Sequence, residues 1–188
     1  MEAYTHHSFW QLYATSKPFR ENIYNPDIFV RYSIDQLKNI YLTRLQIGYE
    51  HKSNGQYNTT DVMLNNRPMG NISRGIDMLY GILRFEDEQL HADLKFWVPI
   101  SSLEDNPDLM DYMGYTSLEL QYEKNRQVLR GVLQGNFITQ KGSLELSYGY
   151  PIGKSVNLYI KGFSGYVDTL VDYNQHVNKI GVGFSFSH

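Results

Sequence analysis

Tyr41-Leu42-Thr43-Arg44-Leu45-Gln46-Ile47-Gly48-Tyr49-Glu50-His51-Lys52-Ser53-Asn54-Gly55 is the stretch around which the rest of the chain can be read. A strand sends residues i and i+2 to the same face. Tyr41, Thr43, Leu45, Ile47 and Tyr49 therefore share one side, and Leu42, Arg44, Gln46, Gly48 and Glu50 the other. His51 and Ser53 continue the first, mostly apolar face. An imidazole two residues from a hydroxyl on one face has the spacing that a base and its nucleophile need. Such a pair on the apolar side of a strand suits a substrate that is itself apolar. The ordinary explanation of the same residues is a strand-end His followed by a Ser-Asn-Gly turn, and the motif alone does not decide between them.

Composition narrows the class. The chain has 188 residues, with 17 Lys plus Arg against 20 Asp plus Glu and a formal net charge of −3. A single domain over residues 1–188 is expected, and nothing is basic enough for nucleic acid. Cysteine is absent, which excludes disulfides and thiolate metal sites. No run approaches the roughly 18 apolar residues of a membrane helix. The mean hydropathy of −0.45 would suit a soluble protein. Yet 16 Tyr and 9 Phe gather at the ends of alternating segments, as they do in membrane barrels whose strands face lipid with every second residue. Met1-Glu2-Ala3-Tyr4 enters a strand pattern with neither a charged nor an apolar leader region, so a secretory signal is not expected in this stretch.

Working outward, strands are expected over about Tyr4–Ala14, Asp27–Leu37, Ile40–Glu50, Ser73–Phe85 and Leu90–Ile100, with a loop at Thr15–Glu21 and a tight turn at Lys38-Asn39. Residues 51–72 form a long loop rich in Asn, Thr and Gly, the kind that carries function. The acidic stretch Glu104-Asp105-Asn106-Pro107-Asp108 fits no EF-hand spacing and reads as a solvated loop. Farther on, Leu118, Leu120 and Tyr122 oppose Ser117, Glu119, Gln121 and Glu123. Leu144, Leu146, Tyr148 and Tyr150 oppose Ser143, Glu145, Ser147 and Gly149. Val156, Leu158 and Ile160 alternate with Asn157, Tyr159 and Lys161, and Ile180, Val182, Phe184 and Phe186 with Gly181, Gly183 and Ser185. About ten strands follow, with short turns and long loops in alternation and no convincing amphipathic helix. The fold expected is an all-β, antiparallel transmembrane β-barrel, because the face opposite the apolar one is polar or Gly rather than a second hydrophobic layer. A soluble β-sandwich is the alternative.

Several segments together resemble the outer membrane phospholipase A barrels of Gram-negative bacteria. They are Ser8–Leu12, Ser16–Glu21, Gly48–Gly55, Ser73–Tyr80, Asp105–Asp108 with Tyr112–Tyr115, and Ser164–Tyr166 with Asp172–Asn174. The resemblance covers essentially the whole chain in order. It implies a calcium-dependent phospholipase A that cleaves the sn-1 and sn-2 acyl esters of phospholipids and lysophospholipids at the outer wall of a barrel in the outer membrane. Carried over residue by residue, Ser53 is the nucleophile and His51 the base. Asp77 stands where the family usually has an Asn that orients the His, a role a carboxylate can also fill. The main-chain N–H groups of Ser53 and Gly55 are implied for the oxyanion. The implied calcium ligands are Ser73, the carbonyl of Gln56, and Ser16 of a second copy, so that a homodimer completes the site. The loop after Gly55 is longer than the family pattern, so another carbonyl between residues 56 and 72 could replace Gln56. Family barrels have about twelve strands, so the first two are expected to be missing unless the first strand closes on the tenth. A catalytically silent barrel, or a fragment with a structural or pore role, is the competing expectation.

Overall fold

The computed structural model describes residues 1–34, 41–56, 63–64, 67–68 and 70–186. The Lys38-Asn39 turn and residues 57–62, 65, 66 and 69 of the long loop lie outside the described residues. The strands are β1 (Glu2–Trp10), β2 (Phe19–Ser33), β3 (Leu42–Ser53), β4 (Met63–Leu64), β5 (Arg67–Pro68), β6 (Gly75–Glu86), β7 (Leu90–Pro99), β8 (Thr116–Lys124), β9 (Gln127–Asn136), β10 (Lys141–Pro151), β11 (Val156–Gly165) and β12 (Val177–Phe186), with one short helix, α1 (Leu109–Met113), between β7 and β8. Ten strands form one antiparallel sheet in the order β1-β2-β3-β6-β7-β8-β9-β10-β11-β12, and β4 pairs with β5 separately. The expected all-β class is found as one sheet, so the two-sheet sandwich is not the arrangement. β1 and β12 are its edges, and no pairing joins them among the described residues. Closure of the first strand on the last is therefore not adopted.

The sheet is inverted relative to a water-soluble one. On β3, Ile47 is 72% exposed while Gln46 and Glu50 are 8% and 4% exposed. On β12, Ile180 is 86% exposed. Inside, charges pair along and across the strands. Arg84 Nε donates to Asp93 at 2.6 Å. Arg130 reaches both Glu119 (2.7 Å) and Glu145 (2.9 Å), and Lys52 and Lys95 both reach Glu50. An exposed apolar face of this extent demands apolar surroundings, while the paired interior satisfies charges that would otherwise be costly to bury.

Although β1 and β12 do not pair, the two ends of the sheet approach each other. Lys179 of β12 lies over the Phe9 ring of β1 at 5.8 Å. Arg20 of β2 makes a bidentate pair with Asp172 in the connection between β11 and β12, with Nε at 2.8 Å. Asn125 and Arg126, with φ of 52° and 64°, make the two-residue β8–β9 turn, the conformation that matches the twist of a hairpin.

Several boundaries differ from the sequence expectation: β1 ends at Trp10 rather than Ala14, and β3 runs on to Ser53 rather than ending at Glu50. Phe19-Arg20-Glu21 belongs to β2 rather than to a loop, because it pairs with the end of β1, Glu21 opposite Phe9 and Phe19 opposite Trp10. Helix α1 was not expected: at five residues it is too short to reveal a period. It buries Leu109, Met110 and Met113 against Ile76, Met78, Trp97 and Tyr173, closing over the rim of the interior. Tyr173 donates to Asp108 just before α1, and burial together with this bond pushes its phenol above the usual range.

Candidate active site

Antiparallel pairing of β3 with β6 sets His51 opposite Asp77 and Ser53 opposite Gly75, while β2 sets Tyr24 opposite Ser53 on the other flank. Tyr49 and Leu79, 38% and 47% exposed, mark the outer face of the two strands. His51 and Ser53 share parity with Tyr49, and Asp77 shares it with Leu79, so all three lie on the outward side. His51 Nδ1 is 2.7 Å from Asp77 Oδ1. An ionised carboxylate offers only lone pairs, so the proton between them belongs to Nδ1, and the neutral imidazole keeps its free lone pair on Nε2. That is the tautomer a base needs.

Asp77 is held from three further directions. Its N–H donates to Ser101 Oγ at 2.9 Å and its carbonyl accepts from the Ile100 N–H at 2.8 Å. The Tyr49 hydroxyl donates to the same Oδ1 that His51 uses. Opposite Ser53, Gly75 places no side chain. Even an added Cβ would lie at ordinary contact distance, 3.6 Å, from that of Ser53.

Beyond Ser53 the chain turns at Asn54-Gly55. Gly55 has φ of +62°, and a Cβ there would lie 3.0 Å from the Tyr24 ring, so both backbone and space call for glycine. Asn54 is 1% exposed, and its amide is fully used. Nδ2 donates to Glu21 Oε1 at 3.1 Å and to the Ile72 carbonyl at 2.7 Å. Oδ1 accepts from the N–H groups of Gln56 at 3.3 Å and Arg74 at 3.0 Å. Glu21, equally buried, accepts in turn from the N–H groups of Leu170 (2.8 Å) and Val171 (2.9 Å). Sequence reasoning gave Asn54 only a turn-forming purpose and gave Glu21 none. Its partners lie 33, 149 and 150 residues away, beyond the reach of any local pattern.

The groups expected to hold calcium are all oxygens, as a hard cation requires. One Asn54 oxygen ties Gln56 to Arg74, the neighbour of Ser73, so Gln56 and Ser73 flank a single amide. Arg74 Nη1 donates to the carbonyls of Ser73 (2.6 Å) and Asn71 (3.1 Å), which fixes the backbone that carries the Ser73 hydroxyl. Each of the two residues offers an oxygen of the kind a hard cation takes. Ser16 stands apart in the β1–β2 connection, exposed, with φ of 62°. It is not joined by a hydrogen bond to Ser73 or Gln56 among the described residues.

A sequence model of the family described as Phospholipase A1 matches residues 1–186. The phospholipase A1 of Salmonella typhimurium is 36% identical over 184 residues, 96% of this chain and 60% of that protein. That of Escherichia coli K12 matches to the same extent, and a putative phospholipase A1 of Neisseria meningitidis is 36% identical over 98% of this chain and 48% of its own. Among solved structures, the outer membrane phospholipase A of Escherichia coli superimposes with a TM-score of 0.87 at 34% identity, covering 99% of this chain and 69% of the other. An outer membrane phospholipase dimer of Salmonella typhi with bound calcium gives 0.88 at 35%, with the same coverage. The chain thus spans about 60% of the length of the first curated relatives it matches. With the family sequence running through 186 residues and the superposition extending over nearly all of the sheet, this chain belongs to the phospholipase A1 family.

Proposed function

We propose that the chain carries the active site of a calcium-dependent outer-membrane phospholipase A, acting on the sn-1 and sn-2 acyl esters of phospholipids and lysophospholipids. The observation that carries this reading is the His51–Asp77 hydrogen bond on the apolar outer wall, two residues from Ser53. Lipid in the surrounding layer reaches those groups directly, without crossing the interior. The ion pairs that fill the interior weigh against an open pore.

In the proposed reaction Ser53 Oγ attacks the ester carbonyl while His51 Nε2 takes its proton. Asp77 keeps the imidazole in the required tautomer and stabilises the imidazolium that forms. The main-chain N–H groups of Ser53 and Gly55 donate to the carbonyl oxygen as it gains charge. His51 then returns the proton to the departing lysophospholipid alkoxide, leaving an acyl ester on Ser53. Water attacks that ester, His51 takes the water's proton, and the fatty acid leaves as Ser53 recovers its hydrogen. Calcium held by Ser73, the Gln56 carbonyl and Ser16 of a second copy would supply a positive charge that polarises the ester carbonyl.

The test is hydrolysis of a thioester phospholipid analogue by the refolded chain in detergent micelles. A chelator is expected to lower turnover by at least about a hundredfold, with recovery on restoring calcium. Full turnover in excess chelator would remove calcium from the mechanism. Insertion has its own check, because Ile47 lies midway along β3 on the exposed face. Ile47→Arg is expected to destabilise the sheet in lipid by about 2–4 kcal/mol, read as a lower denaturant midpoint for the heat-modifiable band. An unchanged midpoint would mean that this face does not meet hydrocarbon.

A further inference from the structure

We infer that Tyr49 is a positioning residue of the same site, holding Asp77 against His51 through its hydroxyl; this rests on the hydrolase reading above. Tyr49 precedes His51 by two residues and shares its face. Its direct partner across the ladder is Leu79, and Asp77 is the diagonal neighbour. Diagonal pairs on a sheet face lie within reach of an aromatic side chain, and the Tyr49 hydroxyl ends on Asp77 Oδ1, the oxygen that also takes His51 Nδ1.

An outward tyrosine near a barrel rim is ordinarily an interfacial anchor whose hydroxyl seeks head groups or water. Here the hydroxyl turns along the wall onto a carboxylate instead. An ionised group on an apolar wall is stabilised by every donor it gains. The Ile100 contact fixes only the Asp77 backbone, while Ser101 Oγ takes the Asp77 N–H and also lies beside its carboxylate. His51 and Tyr49 both reach the Asp77 side chain at the same oxygen, Oδ1. A carboxylate free to rotate could turn its second oxygen to the imidazole or leave it. With Oδ1 anchored by the phenol, the carboxylate has one orientation, and the imidazole is aligned with it.

The experiment compares the parent, Tyr49→Phe, Asp77→Ala and the double variant, each refolded in micelles with calcium and checked by heat-modifiable mobility. Tyr49→Phe is expected to lower kcat about tenfold with KM unchanged, and to have no further effect in the Asp77→Ala background. In parallel, the downfield proton resonance of His51 Nδ1–H, assigned by its loss in Asp77→Ala, is expected to move in Tyr49→Phe. Parental kcat in Tyr49→Phe, or an undiminished effect of that change without Asp77, overturns the inference while leaving the hydrolase reading intact. Should the parent prove inactive, the hydrolase reading fails and the resonance alone decides. A shift still assigns Tyr49 to positioning Asp77, and an unmoved proton overturns the assignment.

Discussion

Ser53→Ala is expected to lower phospholipid hydrolysis by about 10⁴-fold or more while leaving the refolded sheet as stable as the parent. The contrast follows from where Ser53 sits. It is the last residue of β3, outward and partly exposed, facing a glycine on β6, so removing one oxygen opens no cavity and orphans no buried partner. Its loss should therefore be felt in chemistry alone. His51→Ala should cost a similar factor, because a serine hydroxyl without its base is a poor nucleophile at neutral pH. The double variant should be scarcely worse than either single one, since groups that act as a unit are not additive. The measurement is the initial rate on a thioester lipid analogue with calcium present. Activity of Ser53→Ala within tenfold of the parent would sink the assignment of nucleophile and base together.

What could be read from sequence depended on whether the information was local. β10 was legible because Leu144, Leu146 and Tyr148 alternate with Ser143, Glu145 and Ser147, and one such strand fixes which side meets apolar surroundings. β9 offered no comparable signal: glycines at 131 and 135 break its outer face, and Val128, Arg130, Val132 and Gln134 mix on the inner one. Arg130 makes sense there only when Glu119 of β8 and Glu145 of β10 are seen beside it, which requires the register. The same limit governs the site. His51 and Ser53 could be placed on one face by counting, whereas Asp77 came from the family resemblance, and its bond to His51 depends on the pairing of β3 with β6. Tyr49 was visibly on the right face, but nothing in the chain announces a diagonal contact across a ladder. Glu21 looked like part of a charged loop after Pro18 because its partners, Asn54 and the Leu170–Val171 amides, lie on other elements.

Asn54→Asp is expected to be the most damaging near-isosteric change at the rim, lowering kcat/KM about a hundredfold and loosening the segments on either side. The native amide donates twice and accepts twice: to Glu21 and Ile72 from Nδ2, and from Gln56 and Arg74 at Oδ1. A carboxylate of the same shape keeps both acceptances but turns both donations into contacts between acceptors, one of them with the buried carboxylate of Glu21. Two like charges at that distance cannot both persist without a proton or a rearrangement. A lost buried hydrogen bond with an acceptor left unpaired costs about 1–3 kcal/mol. With two such losses, the connection from Ser53 through Gly55 should part from the Ile72–Arg74 segment, separating Gln56 from Ser73. Asn54→Ala removes all four bonds but places no second charge beside Glu21, so it should fall between the parent and Asn54→Asp. Hydrogen exchange is the direct readout: amides of Gln56 and Arg74 should lose protection in both variants, while those in the middle of β9 and β10 keep theirs. If Asn54→Asp retained parental kcat/KM with Arg74 still protected, the amide would be no more than a turn residue, and the coupling between the candidate nucleophile and the candidate calcium ligands would have to run through other contacts.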